Sequence, residues 1–181
     1  LGSEFINYGK EKHGLDLSVG DLSTLTLSKQ PDIIIYSHVL EHILDLNNQL
    51  KKISSLMHND TVLYIEVPGL KNLHQSYDTD LLLYLQNAHV YHFTKTSLLN
   101  LMQANGFEAL QIDEYVRSLF KKTDSNTRHV TKNEYSSIVK YLKKIEWMRK
   151  TLPVPMYVLK FRIKRTGYNI LRFFKLVGPL E

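Results

Sequence analysis

Four short stretches of this 181-residue chain hold side chains able to do chemistry. The densest is Ser37-His38-Val39-Leu40-Glu41-His42, which sets two imidazoles and a carboxylate close together. Imidazole is the side chain best poised to take a proton near neutral pH. His42, His38 and Glu41 are therefore candidate catalytic residues for a reaction that deprotonates a hydroxyl. His89-Val90-Tyr91-His92 offers two more imidazoles and a phenol that can orient an acceptor. Gly20-Asp21-Leu22 and Glu66 complete the set. Each has a plainer reading. Asp21 is equally a turn aspartate, Glu41 and His42 a solvated helix start, and the aromatics at 89–92 a loop packed on the core. Histidines 38, 42 and 89 with Glu41 are chemically able to hold a metal.

Those stretches need elements to position them. Ile6 to His13 reads as a short helix with Gly14 at its C-terminal cap. Leu15 to Val19 alternates apolar and polar residues, which predicts a strand ending at Gly20-Asp21. Ile33-Ile34-Ile35-Tyr36 is continuous and mostly β-branched, as expected of a strand buried on both faces. Leu46, Leu50, Ile53 and Met57 have helical spacing, with Asp45 as a cap. Val62 to Val67 is a second apolar strand, stopped by Pro68-Gly69. Leu70 to Asn87 reads as a loop followed by a short helix or lid. Thr96-Ser97 starts a helix ended by Asn105-Gly106, and Phe107 to Val116 is a strand. Arg117 to Thr131 is polar, a loop or edge hairpin. Asn133 to Lys150 is amphipathic, with Tyr135, Ile138, Val139, Leu142 and Ile145 on one stripe; Pro153 and Pro155 end it.

This rhythm is that of an α/β domain with a mostly parallel sheet. Ligands in such sheets sit outside the carboxyl ends of the strands. Asp21 and the 38–42 stretch are thus expected to converge on one crevice.

Composition narrows the function classes. The chain has no cysteine, which excludes a disulfide framework, a cysteine-based zinc site and a thiol nucleophile. That fits a cytoplasmic setting. No apolar run reaches the roughly 18 residues of a membrane span, and no secretory leader is recognisable. The net charge is +5. From Met156 onward, Lys160, Arg162, Lys164, Arg165, Arg172 and Lys175 face only Glu181, so the tail carries the whole excess. Tyr157, Phe161, Tyr168, Phe173 and Phe174 interleave with these charges. The tail reads as a docked element with a solvated basic face, or as a weak contact of residues 156–177 with an anionic membrane surface. No nucleic-acid motif is present, and no nucleic-acid partner is expected. A homo-oligomer is compatible with all of this.

Pro31 to His42 resembles the fourth-strand motif of class I S-adenosylmethionine-dependent methyltransferases: a Pro-Asp pair, an apolar strand and a closing Glu-His pair. Val62 to Pro68 is similar to the fifth strand of that family, and His89 to Leu98 to its His, Phe-Thr, Ser-Leu segment. Ala104-Asn105-Gly106-Phe107 resembles the turn that follows, and Gly14 to Asp21 the third strand. The resemblance implies a Rossmann-like α/β fold, S-adenosylmethionine as cofactor and a small-molecule or sugar acceptor. It places Gly20, Asp21, Leu22, Ser37 and His38 at the cofactor, with Asp21 meeting adenine. Glu66, His89, Tyr91 and His92 face the acceptor. The family's glycine turn and second-strand acid would precede Leu1. The expectation is therefore a partial methyltransferase domain over 6–122, incomplete at its N-terminus and weak or inactive alone, with a helical basic extension over 132–181. Some relatives hold a divalent metal through an E-x-x-E-H motif and a later His. Here His38 replaces the first Glu, so the sequence reading leaves Glu41, His42 and His89 as pocket-shaping residues and assigns no metal. The alternative function is a non-catalytic Rossmann-like interaction module that works through its basic aromatic tail.

Overall fold

The computed structural model describes residues 3–22, 24–73, 81–85, 88–123 and 133–151, with 159, 163, 164, 166, 167 and 170. Most of the basic tail, and with it the expected membrane contact, lies outside the described residues. Helix α1 is Ser3–His13, strand β1 Ile33–Ser37, helix α2 Leu46–Leu56 and strand β2 Val62–Glu66. Helices α3 (Leu81–Tyr84) and α4 (Lys95–Ala104) follow, then strands β3 (Phe107–Ile112) and β4 (Arg117–Lys122) and helix α5 (Tyr135–Thr151). Two 3-10 turns, Leu40–His42 and Leu70–Asn72, leave the carboxyl side of β1 and of β2.

The four strands form one sheet in the order β1-β2-β4-β3. β1 pairs with β2 in parallel, Ile33 opposite Val62 and Ser37 opposite Glu66. β4 runs antiparallel to both β2 and β3. The mostly parallel sheet expected from the rhythm is thus corrected: two of its three pairings are antiparallel. The short link from β3 to β4 allows only a hairpin, and β4 then inserts beside β2. Arg117 to Lys122 is accordingly an inner strand and no edge loop. Its buried Ser118 is satisfied by donating to the Ile65 carbonyl at 2.9 Å.

One face of the sheet carries the core. Tyr36, Leu63, Ile65, Phe107 and Phe120 point into a cluster closed by Leu46, Leu50 and Ile53 of α2 and by Leu98 and Met102 of α4. The other face is more open. Ile33 and Ile35 are 63% and 68% exposed, which corrects the expectation of a strand buried on both sides. Leu15 to Val19, expected as a strand, has no strand partner among the described residues and runs as irregular chain.

The helix starts follow their capping chemistry. Asp45 accepts from the Asn48 amide at 3.0 Å, as its position predicts. Thr94, two residues earlier than the expected start at Thr96, makes a reciprocal capping box with Ser97. Gly106 closes α4 with φ +80°, a conformation costly for a residue with a Cβ.

A second, smaller core holds α5. Leu70, Leu73, Leu81 and Tyr84 pack against Ile138, Tyr141, Leu142 and Ile145. Tyr135, expected on that stripe, is exposed. Glu134 pins the start of α5 by accepting from Lys71 Nζ at 2.6 Å and from Thr94 Oγ1 at 2.8 Å. Burial alone would raise the Glu134 carboxyl pKa; the bonds from Lys71, Thr94 and Thr96 outweigh it and hold the value below the ordinary range.

Candidate active site

The segment from His38 to Ile43 is the centre of the site. His38 follows β1 with φ +54°, a left-handed conformation that histidine adopts more readily than most residues. Its amide continues the sheet by donating to the Glu66 carbonyl at 2.9 Å. The chain then tightens into the Leu40–His42 turn. Leu40 is buried in the main core, which leaves Val39 and Ile43 on one side and the polar residues on the other. Glu41 and His42 thus belong to a separate 3-10 turn, not to the first turn of α2 as the sequence implied.

On the first side lies a cleft of about 550 Å³. Gly20, Asp21 and Leu22 line one wall; Tyr36, Val39 and Ile43 line the other. That volume lies within the range of small-molecule sites. The wall at Asp21 is a compact turn: Thr24 donates from both its amide and its hydroxyl to the Asp21 carbonyl, each at 3.1 Å. Gly20 has φ +154°, and a Cβ there would lie 2.5 Å from Thr24 Oγ1, so the turn requires glycine. Gln49 of α2 donates to the Tyr36 hydroxyl at 2.6 Å and orders the floor. Burial pushes the Tyr36 hydroxyl pKa up.

On the second side, three imidazoles gather near Glu41, and a fourth lies beyond them. The Glu41 side chain is 1% exposed, and neither carboxylate oxygen has a hydrogen-bond partner. His38 Nδ1 lies 3.4 Å and His42 Nε2 3.8 Å from its Oε1. His42 Nδ1 lies 2.7 Å from the Ala88 carbonyl. A carbonyl only accepts, so Nδ1 carries a proton and donates it to Ala88, while Nε2 is turned toward Glu41. His89 stacks edge-on against His42, ring centres 4.9 Å apart. His92 lies 5.9 Å beyond His89 and 4.9 Å from Tyr84. Burial lowers the pKa of both His89 and His92; for His92 the neighbouring His89 adds to it, and for His89 the Glu41 charge works against it. Both shifts favour the neutral ring. The donor atoms of Glu41, His42 and His89 all lie within 4.8 Å of one another.

The 88–91 strap is tied to the turn through the backbone. The Glu41 carbonyl accepts from the Val90 amide at 2.9 Å and the Tyr91 amide at 3.2 Å. Tyr91 donates from its hydroxyl to the Leu44 carbonyl at 3.0 Å.

The structure thus brings Gly20, Asp21 and Leu22 to one cleft, and His38, Glu41, His42, His89 and His92 to one cluster; of the 38–42 stretch only Val39 lines the cleft with Asp21, which corrects the expectation of a single shared crevice. Ser37, Glu66 and Tyr91 are turned to other tasks. Glu66 Oε2 accepts from Ser37 Oγ at 3.2 Å and from the Tyr64 hydroxyl at 3.0 Å. Sequence reasoning missed Tyr36, Val39, Ile43 and Gln49 as cleft residues. The signal was present: Val39 and Ile43 sit four apart after the strand, on the apolar side of a polar turn.

A ligand-sized cleft and a polar cluster, set where adjacent parallel strands end, define an α/β domain with its site at the strand carboxyl ends. Residues 7–112 match the family described as the methyltransferase domain, and the chain belongs to that family. No curated protein matches the chain. No helix among the described residues is long and apolar enough to cross a membrane.

Proposed function

We propose that the protein binds S-adenosylmethionine in the cleft beneath Asp21 and transfers its methyl group to a hydroxyl of a small-molecule or sugar acceptor at the histidine cluster. The observation that carries this reading is the His38–Ile43 segment. Val39 and Ile43 give the cleft its apolar wall, and Glu41 and His42 give the cluster its polar atoms. A methyl group presented from one side would meet a nucleophile held on the other.

In the proposed step the acceptor oxygen attacks the methyl carbon as the carbon–sulfur bond breaks. The products are the methylated acceptor and S-adenosylhomocysteine. His42 Nε2 takes the hydroxyl proton, and the new imidazolium lies beside the Glu41 carboxylate. Asp21 holds the adenine amino group, and Leu22 and Val39 flank the ring. Alignment supplies most of the rate, because the sulfonium is already activated.

Titrating the full-length protein with S-adenosylmethionine should release heat. Asp21→Ala should weaken that binding about 10-fold, the worth of one hydrogen bond. His42→Ala should leave binding unchanged and slow turnover by about 100-fold or more. A full-length protein that gives neither heat nor a shift in melting temperature with the cofactor would overturn the reading. It would then favour the interaction-module alternative.

A further inference from the structure

We propose that the C-terminal segment rests on the surface of an anionic phospholipid bilayer, through the lysine and tryptophan face of α5 and an apolar helical face at Leu159, Ile163 and Ile170. The inference rests on neither the cleft nor the histidine cluster.

Helix α5 is packed on one side. Ile138, Tyr141, Leu142 and Ile145 meet the smaller core. At about 100° of turn per residue, Trp147 stands opposite that stripe, and Lys140, Lys143 and Lys144 lie within about 60° of it. Trp147 is 62% exposed, and all three lysines are exposed. Glu146, the one carboxylate of α5, is taken by Arg149 at 2.7 Å and by Lys150 at 3.2 Å. Lys140, Lys143 and Lys144 are thus left without an ion pair among the described residues. The headgroup layer of a bilayer suits this face. An indole ring settles at the boundary of water and acyl chains. Lysine stems lie along apolar surface while their ammonium groups reach the lipid phosphates.

The described residues beyond α5 carry an apolar face of their own. Leu159, Ile163 and Ile170 are helical and 44%, 63% and 52% exposed. Steps of four and seven residues set them on one side of a helix. Lys164, also helical and exposed, falls off that side. Single exposed apolar residues are ordinary, but an aligned set marks a contact surface.

Charge decides the occupant. Helix α5 holds five cations against one carboxylate. From Met156 onward the chain holds six against one. Each Lys or Arg near an anionic lipid surface is worth about five-fold in affinity. Nucleic acid would meet the same cations and stack on the same indole, but it has no use for aligned aliphatic side chains. Acyl chains take them up, and a helix with apolar and basic faces lies in the plane of the interface.

The test sediments the full chain with mixed phosphatidylserine–phosphatidylcholine vesicles and with phosphatidylcholine vesicles alone. The chain should bind the mixed vesicles, and added salt should release it. Trp147 is the one tryptophan, so its emission reports on α5 directly. That emission should shift to the blue on binding. Replacing Lys140, Lys143 and Lys144 together by Gln should weaken binding at least about 10-fold, a conservative share of their summed attraction. Replacing Ile163 and Ile170 together by Gln should weaken it at least about 10-fold by removing the apolar anchor. Lys29→Gln, which removes an exposed lysine far along the chain, should leave it unchanged. Circular dichroism melting checks that each variant is folded. No binding to the mixed vesicles overturns the proposal, and so does equal binding to phosphatidylcholine alone. Unshifted Trp147 emission overturns the part assigned to α5. Binding of a short single-stranded RNA without vesicle binding assigns the face to nucleic acid instead. Heat released by S-adenosylmethionine is a separate measurement, so this surface and the cleft fail independently.

Discussion

Glu41→Leu should raise the melting temperature while abolishing methyl transfer. Both effects come from one carboxylate. Its oxygens are buried without a hydrogen-bond donor, so the folded state bears the cost of taking them out of water. The imidazoles nearest to it, His38 and His42, are 57% and 40% exposed and keep their water when the carboxylate is removed. Leucine fills a similar volume without that cost. Replacing a buried polar group by an apolar one of like shape is neutral to stabilising, here by about 1–3 kcal/mol. In a chain of this size that is a rise of about 2–4 °C per kcal/mol. Turnover should fall by about 100-fold or more, since the imidazolium formed at His42 loses its counter-charge. Calorimetric melting and a methyl-transfer assay on the same preparations read the two effects. A lower melting temperature would mean that the carboxylate is satisfied in the fold, and its functional reading would go with it.

Phe120→Ala should have the largest effect on stability. Phe120 is fully buried on β4, the strand that joins β2 to β3, opposite Leu63 in one ladder and Ala109 in the other. Truncating a buried phenylalanine costs about 3–5 kcal/mol, transfer and cavity together. A single domain has only about 5–15 kcal/mol to lose. The melting temperature should drop by about 10 °C, and denaturant unfolding should shift its midpoint with an unchanged slope. Leu119→Ala, on the open face of the same strand, should cost well under half as much. Equal losses at 119 and 120 would contradict a core confined to one face.

The comparison of these two residues also shows what the sequence could convey. β4 reads Arg-Ser-Leu-Phe-Lys-Lys, and its apolar residues fall on opposite faces. A periodicity search finds no apolar face there, because one inward position is a serine bonded to the Ile65 carbonyl. The strand is built by its neighbours. The error at β1 is the reverse: three consecutive isoleucines carry no mark of which face stays open. Leu15 to Val19 alternates properly, but alternation without a pairing partner is not a strand. Local chemistry, by contrast, was legible. Asp45 as a cap, Gly14 and Gly106 as helix stops, and the spacing of Leu46, Leu50 and Ile53 all hold in the fold.

Site identity followed the same division. Four family-like motifs in order sufficed to recognise the methyltransferase domain, and the match over residues 7–112 agrees. The burial of Glu41 was not legible. Its local sequence is an ordinary polar turn. What hides it is the strap at 88–91, which is 46 positions further along the chain where Ala88 meets His42. Contacts at that range come from tertiary packing, which a pattern of residue types does not report.

One peptide plane has a mechanical consequence. The carbonyl of Glu41 grips the amides of Val90 and Tyr91, while Val39 and Ile43 of the same segment line the cleft. A ligand that tilted this plane would pull on the strap through those two bonds, and a ligand that moved the strap would pull on the plane. If cleft and cluster each take the ligand proposed for them, their affinities would be linked by a common factor. Whichever partner arrives first tightens or loosens the seat of the second, and the ratio of dissociation constants measured with and without the other partner gives that factor.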